Sequence, residues 1–327
     1  MYNSTFQVSY RRKVYEEVAT LAYQRMNKEA FKWLPDWIVS GTGGNDAKED
    51  IFSDLDYAAE LCSAALGMEP SRYLDTLADK TPLEQTNDPA APMVCVLSTM
   101  CHKCTQTQDA APPCISACAN HAIGLDATGR ATINPTACSS CGTCVGVCPQ
   151  GAITDKSSLY QVIRAIGDGH KVMALLMPGL SEQFAETIRK EHLTSAFRML
   201  GFCDVFEIGS MTGPHSYLST NPERISQEIY CMNAGIKAVD KDTLVVLVAP
   251  STMSKLDAVH STTSEDVDYV LTLEEVLGML DARGLCNGIM QKSDEEPLKY
   301  TREDHYPLQY NKEEGVTIDH SAAKMCS

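Results

Sequence analysis

Basic residues are scarce in this 327-residue sequence: 27 Lys and Arg stand against 43 Asp and Glu, which gives a formal net charge of −16. A surface of that sign repels nucleic-acid phosphates and anionic membranes, which argues against general nucleic-acid binding. The apolar runs are far shorter than the roughly 20 residues of a membrane-spanning helix. The first residues also lack the apolar core of a secretory signal. We therefore predict a cytoplasmic protein that neither binds nucleic acid nor spans a membrane.

Motifs of nucleophilic and nucleotide-dependent catalysis are missing as well. The sequence has no G-x-S-x-G elbow, no Walker phosphate loop and no G-x-G-x-x-G after a strand pattern. The glycine-rich segment 41–44 follows the segment Trp33–Trp37, which we interpret as a loop that closes against neighbouring helices. The acidic pair Glu274 and Glu275 is typical of solvated helix charges. We assign no catalytic residue.

Cysteine, by contrast, is abundant, with 14 residues. Eight of them fall between Cys101 and Cys148, and the other six are scattered singly. Disulfides are disfavoured in a reducing cytosol, and clustering of this kind indicates a metal centre. A further site could be sought among the single cysteines, but nothing in their spacing supports one; the four candidates are Cys203, Cys231, Cys286 and Cys326.

The densest part of the cysteine block reads CSSCGTCVGVCP over residues 138–149, which is the C-x2-C-x2-C-x3-C-P run of bacterial ferredoxins. Three thiolates at this spacing on a turning loop can reach three irons of one cubane. Gly142 and Gly146 let the backbone approach the cluster sulfides. The fourth cysteine, Cys148, then ligates the neighbouring cluster. A zinc site is the alternative, although zinc ribbons usually pair two C-x-x-C units across a longer gap.

A second set of cysteines lies upstream, within residues 101–118. Cys118 and Cys148 are both followed by the same pattern, Cys-x-x-x-Ala-Ile, which predicts the internal twofold repeat of a two-cluster ferredoxin. The repeat assigns Cys101, Cys104, Cys114 and Cys148 to one 4Fe–4S cluster, termed cluster one. It assigns Cys138, Cys141, Cys144 and Cys118 to the other, termed cluster two. The upstream set departs from the pattern in its long gap at 106–113 and in Ala119, where proline is expected. Cys95 is a substitute ligand or, in the favoured interpretation, a buried thiol on a strand.

The whole sequence predicts an α+β multidomain protein with four regions. Residues 1–88 show helical spacing, residues 89–156 form the ferredoxin-like domain, residues 157–292 alternate strand and helix patterns, and residues 293–327 form a polar C-terminal tail. The proline-rich run 82–92 marks the first boundary. Apolar strands interleaved with helices predict a mostly parallel sheet; the candidate strands are Val172–Met177, Asp204–Ile208, Thr243–Val248 and Val267–Leu271.

Several stretches carry a family resemblance: KVMALLMPG over 171–179, LGFCDVF over 200–206, DVDYVLTLEE over 266–275 and, near the N-terminus, RRKVYEEVATLAY over 11–23. Together with the ferredoxin block they resemble iron-only (FeFe) hydrogenases. In that family two accessory 4Fe–4S clusters precede an α/β catalytic domain. The resemblance implies that region 157–292 is a truncated hydrogenase-like α/β domain.

The motifs of the hydrogen-activating H-cluster depart from the family pattern. The second motif, Pro-Cys-x-x-Lys-Lys-x-Glu, reads PSTMSKLD over 250–257, so Ser251 replaces the cysteine ligand and Ser254 the first lysine. The first motif should fall within 209–241, where the only cysteine is Cys231. The third motif, with its paired cysteines and glycines near the C-terminus, is absent, and only Cys326 appears there. A serine hydroxyl is not ionised near neutral pH and is a poor iron ligand. The resemblance therefore implies that hydrogen activation is lost.

These observations favour an iron–sulfur electron-transfer protein with two 4Fe–4S clusters, serving a redox partner protein or subunit. We lean against an enzyme. Two alternatives stay open, in both of which the α/β domain retains a cofactor or ligand. One is a hydrogenase-related oxidoreductase, and the other is a redox or gas sensor.

Overall fold

The computed structural model describes residues 4–26, 28–42, 54–70, 92–101, 104, 111–184, 188, 192–208, 222–260, 267–285, 308–311 and 315–318. Some predictions lie outside these residues. They concern the proline-rich run up to residue 91, most of the gap at 106–113, the first-motif segment 209–221 and the cysteines at 286 and 326.

The N-terminal region is helical over its described residues, in α1 (Ser4–Tyr23), α2 (Lys28–Lys32), α3 (Leu34–Thr42) and α4 (Leu55–Ala65). Helix α1 buries the apolar face of Val14, Val18 and Leu21. The loop predicted over Trp33–Trp37 is wrong, because α3 begins at Leu34. Proline in the first helical turn removes an N–H that has no partner within the helix, so Pro35 is compatible with this start.

The cysteine-rich region contains two short pairs of antiparallel strands. Strand β1 (Val94–Val96) pairs antiparallel with β4 (Ile153–Asp155), and β2 (Ile123–Leu125) pairs antiparallel with β3 (Ala131–Ile133). One-turn helices α5 (Pro113–Ala117) and α6 (Thr143–Val147) lie between these strands in the chain and pack against each other. Cys95 on β1 is buried, and burial raises the pKa of its thiol, as expected for a packing residue.

The predicted parallel sheet is confirmed. Strands β5 (Val172–Leu176), β6 (Asp204–Glu207), β7 (Leu244–Ala249) and β8 (Tyr269–Thr272) are all parallel, in the order β6-β5-β7-β8. Their side chains are almost continuously buried, as in a sheet covered on both faces. The accompanying helices are α7 (Leu159–Gly167), α8 (Leu180–Phe184), α9 (Leu193–Leu200), α10 (Pro222–Val239), α11 (Thr252–His260) and α12 (Leu273–Ala282).

Helix α1 joins the N-terminal region to the sheet by packing on α12. The two backbones approach closely at Gly278, where an added Cβ would lie 2.6 Å from the Cβ of Tyr15. Beside this crossing, the guanidinium of Arg12 donates two hydrogen bonds to Asp281. Gly278 therefore allows α1 and α12 to pack closely, and the Arg12–Asp281 pair helps to fix their relative orientation.

Two further strands, β9 (Leu308–Asn311) and β10 (Gly315–Ile318), form an antiparallel pair within the segment predicted as a polar tail. Among the described segments, no helix has both the length and the apolar character needed to cross a bilayer.

Candidate metal centre

The four cysteines assigned to cluster one line a single pocket. Cys101, Cys104, Cys114 and Cys148 surround it, together with apolar atoms of Pro113 and Ile153. Cys101 and Cys114 are buried, whereas Cys104 and Cys148 are partly exposed. Burial is the main cause that raises the pKa of the thiols of Cys101 and Cys114, and the neighbouring cysteines add to it. The structure thus brings together thiols from both halves of the cysteine block.

Three of the four cysteines assigned to cluster two also lie close together. Burial, followed by the charges of Cys138 and Cys141, raises the pKa of Cys144 to about 12. Cys118 follows α5, and α5 packs against α6, the helix that carries Cys144.

The two halves share one backbone design, as the repeat predicted. Cys101 donates its N–H to the carbonyl of Leu97 at 3.1 Å, and Cys138 donates its N–H to the carbonyl of Asn134 at 3.0 Å. The residues three positions after Cys118 and Cys148 both have positive φ, at 49° and 62°. That turn aims the next N–H back at the cysteine, so Ala122 and Ala152 each donate to the preceding cysteine Sγ at 3.3 Å.

Further donors point at cysteine sulfurs. The N–H of Ala131 lies 3.2 Å from the Sγ of Cys101, and the hydroxyl of Thr143 lies 3.4 Å from the Sγ of Cys141. The Thr143 hydroxyl, followed by its backbone N–H, lowers the pKa of the Cys141 thiol. Hydrogen bonds of this kind stabilise a thiolate and tune the potential of an iron–sulfur cluster. The cysteine spacing did not reveal Thr143, although its place between two ligands was a signal.

The donor set fits a 4Fe–4S group in its chemistry. Such a cluster takes four thiolates on four separate irons, and its sulfurs accept backbone N–H groups. Both features are present around the first cysteine set. Within the described part of the chain, no three His, Cys, Asp or Glu side chains converge on the position of a single metal ion. When bound, a 4Fe–4S cluster supplies one-electron redox chemistry at low potential.

Helix α11 covers the loop of the second cysteine set. Gly142 has a φ of 75°, and an added Cβ would lie 3.0 Å from the side chain of Leu256. Met253 lies beside both loop glycines, 3.4 Å from a Cβ at Gly142 and 3.6 Å from one at Gly146. The two glycines that were predicted to let the backbone approach a cluster therefore also leave room for the side chains of α11.

Ser251, which the sequence resemblance aligns with the family's cysteine ligand, makes polar contacts at the start of α11. Its hydroxyl lies 3.1 Å from that of Ser254 and accepts the N–H of Ser254 at 3.3 Å. Because Ser251 directly precedes α11, it acts as the N-cap of that helix. The contacts of both serines are therefore those of a helix N-cap, with Ser251 as the acceptor and the N–H of Ser254 as the donor.

A buried ionic network lies directly beneath this cap, and sequence reasoning missed it. The ammonium of Lys255 lies 2.8 Å from Asp155 and 2.9 Å from Glu275, and all three side chains are fully buried. Lys255 also donates to the carbonyl of Lys156 at 3.0 Å. Arg11 approaches Asp155 at 3.3 Å. The network ties α1, β4, α11 and α12 together.

The interpretation of Glu275 as a solvated charge is therefore wrong. Glu275 is buried, and it also forms a capping box with Thr272 in which each side chain accepts the backbone N–H of the other residue. The pattern Thr-x-x-Glu before an apolar run is readable in the sequence and was the available signal. Burial opposes the charged form of Lys255, but Asp155 and Glu275 outweigh it and raise its pKa.

Comparison with known proteins agrees with this architecture. Residues 131–154 match the family described as "4Fe-4S binding domain", and residues 224–324 match "Iron only hydrogenase large subunit, C-terminal domain". The chain is thus similar to a 4Fe–4S binding domain over the first segment and to iron-only hydrogenases over the second, and the predicted resemblance is confirmed. The first match contains the cysteine run 138–148. The second extends past residue 292, where the sequence placed the start of a tail.

A curated relative gives the same picture. The chain is 32% identical over 80 residues to the NADP-reducing hydrogenase subunit HndD of Solidesulfovibrio fructosivorans. The aligned part is 22% of this chain and 14% of that subunit. The chain therefore spans only a small part of the length of this relative.

Proposed function

We propose that this protein carries two 4Fe–4S clusters and transfers electrons to or from a partner protein. The observation that supports it is the pocket lined by Cys101, Cys104, Cys114 and Cys148. Cysteines from both halves meet there, as in a two-cluster ferredoxin, in which the last cysteine of each run ligates the other cluster. Cluster two takes the remaining four ligands, Cys118, Cys138, Cys141 and Cys144.

The protein's own residues would hold the clusters and adjust their potentials. Backbone N–H groups directed at Cys101, Cys118 and Cys148 stabilise negative charge on the ligands. Such donors favour the reduced cluster, which carries one more negative charge. The two cysteine sets pack against each other through α5 and α6. This arrangement suits electron exchange between two adjacent clusters.

Hydrogen activation is not part of this proposal. Ser251 occupies the position of a cysteine ligand, and its hydroxyl is used in the cap of α11. The relative in Solidesulfovibrio fructosivorans is a subunit of an NADP-reducing hydrogenase. By analogy, we propose that the partner of this chain is a redox protein or another subunit.

A hydrogenase-related oxidoreductase is the second candidate. It is favoured by the match over residues 224–324, which covers α11 and the region beyond it. In this reading the α/β domain retains a redox ligand. Infrared spectra separate the two candidates, because a diiron site with carbonyl and cyanide ligands gives characteristic bands. We expect no such bands after co-expression with a maturation system, and their presence would establish the second candidate.

The test of the main proposal is iron and acid-labile sulfide analysis of anaerobically purified protein, combined with electron paramagnetic resonance (EPR). We expect about eight irons per chain and the spectrum of two interacting reduced clusters. Replacing Cys114 or Cys144 with alanine should reduce the iron content. The matched control is Cys95→Ala, which removes a buried thiol outside both sets and should retain all the iron. About four irons in the wild type, or zinc, would reject the two-cluster assignment.

A further inference from the structure

The turn that leads into the first cysteine of each set has the same backbone in both halves. In the second half, Ala137 and Cys138 donate their N–H groups to the carbonyl of Asn134 at 3.2 and 3.0 Å. In the first half, Met100 and Cys101 donate theirs to the carbonyl of Leu97, both at 3.1 Å. Leu97 and Asn134 are thus equivalent, and Thr99 is the counterpart of Thr136.

The two turns are fastened by different side chains. In the second half Asn134 accepts the N–H of Thr136 at 3.0 Å and its hydroxyl at 2.8 Å, a local Asx turn. At the equivalent position, the side chain of Leu97 has no atom that can accept a hydrogen bond. The N–H of Thr99 instead donates to the carboxylate of Glu60 at 3.0 Å, and the hydroxyl of Ser98 donates to its other oxygen. Glu60 therefore does for the first turn what Asn134 does for the second.

Glu60 reaches the turn from helix α4, whose C-terminal end is fixed to the segment that directly follows β4. The carbonyl of Ala64, near the end of α4, accepts the N–H of Ser157 at 2.8 Å. The carbonyl of Leu66, the C-cap of α4, accepts the side-chain amide of Gln161 at 3.0 Å. The Glu60 residue is only 1% exposed. A buried carboxylate is costly unless it is hydrogen-bonded, so the loss of its bonds to the turn would be strongly felt.

We propose that Glu60 is a positioning residue for cluster one: it holds the Ser98–Thr99 turn so that Cys101 faces the pocket. This inference rests on the proposed function, because it presupposes a cluster at that pocket. It makes cluster one dependent on α4, whereas the turn for cluster two is closed by its own Asn134. Substitutions at the two equivalent positions should therefore affect different clusters.

The experiment compares Glu60→Ala, Glu60→Gln and Asn134→Ala by iron content and EPR after anaerobic purification. Glu60→Ala should lower the iron from about eight to about four per chain and leave the signal of one isolated cluster. Glu60→Gln should restore the wild-type values, because the amide oxygen accepts the Thr99 N–H and the amide N–H can reach Ser98. Asn134→Ala should weaken cluster two and leave cluster one in place. Circular dichroism reports whether each variant is folded.

Ser98→Ala provides a milder variant in case Glu60→Ala does not fold, since it removes only one of the two bonds to Glu60. Exposed to an iron chelator, it should release about four irons several-fold faster than the wild type and the other four at the wild-type rate. A folded Glu60→Ala protein with all its iron would overturn the proposal, as would equal loss from both clusters or an unchanged chelation rate in Ser98→Ala. Wild-type protein without two clusters would instead overturn the proposed function.

Discussion

Replacing Lys255 with methionine keeps the length of the side chain and removes the charge that Asp155 and Glu275 share. The ammonium lies 2.8 and 2.9 Å from these carboxylates in a fully buried site. Removing one partner of a buried ion pair costs about 3–5 kcal/mol, because the opposite charge is left uncompensated. Asp155 keeps Arg11 at 3.3 Å. We therefore expect the low end, a loss of about 3 kcal/mol in the free energy of unfolding at pH 7.

The loss should shrink as the pH falls. In the wild type, burial would raise the pKa of Asp155, but Lys255 and Arg11 outweigh it and hold the pKa at about 2, below the usual 3.8. That stabilisation is complete above the unfolded-state pKa and disappears as the pH falls towards 2. Without Lys255 the pKa of Asp155 rises, so acid neutralises the stranded carboxylate. One carboxylate changes stability by at most about 1.4 kcal/mol per pH unit, so the two proteins should converge by about 1–2 kcal/mol between pH 7 and pH 5.

Anaerobic urea unfolding, followed by far-ultraviolet circular dichroism at both pH values, measures this effect. Lys171→Met is the matched control, because Lys171 pairs with Asp240 at 3.2 Å with 45% and 30% of the two side chains exposed. An exposed pair of this kind contributes less than about 1 kcal/mol. Equal losses in the two variants would refute the reasoning. So would a loss in Lys255→Met that does not change with pH.

Three smaller predictions concern the second cysteine set and the helix above it. Thr143→Val removes the hydroxyl beside Cys141, so potentiometric EPR titration should show a midpoint potential for cluster two that is lower by up to about 60 mV. Thr143→Ser keeps the hydroxyl and should stay close to the wild type. An unchanged potential in Thr143→Val would contradict the role of the hydroxyl. Gly142→Ala places a Cβ against Leu256 at a positive φ and should cost about 2–3 kcal/mol in urea unfolding, whereas a loss below about 1 kcal/mol would show that α11 is not tightly seated. Ser251→Ala should cost about 1 kcal/mol through loss of the helix cap and leave the iron content unchanged. A fall in iron content would show instead that this serine serves a cluster.

The sheet was predictable because its strands are short apolar runs separated by helical periodicity. Val172–Leu176 and Leu244–Ala249 are buried on both faces, so each strand shows as a continuous apolar run in the sequence and can be identified without knowledge of its neighbours. The helix over Trp33–Trp37 was missed because Trp, Pro and nearby glycines indicate a turn when they are read one by one. Proline near a helix start carries the opposite meaning, and only the observed boundary shows which meaning applies.

The cysteine pattern was readable in the sequence for a different reason: the chemistry of a cubane fixes the spacing of its ligands within a few residues. The contacts that hold them in place are not local. Glu60 bonds to Thr99, which lies 39 residues further along the chain, and Lys255 bonds to the carbonyl of Lys156, 99 residues away. The local sequence around Glu60 or Lys255 does not indicate which distant residue each one contacts, so these contacts can be identified only in the folded structure.

The segment over 250–257 resembles a hydrogenase motif, and the contacts of its residues explain which of them can differ. Lys255, which the sequence resemblance aligns with the second lysine of that motif, is held between Asp155 and Glu275. Ser251 is the N-cap of α11, a role that a small polar side chain can fill. The lysine is therefore required by the fold, whereas the residue at 251 contributes only the cap of one helix. A serine at 251 is consequently compatible with the position of α11 over the loop of Gly142, because the buried charge of Lys255 anchors that helix independently of residue 251.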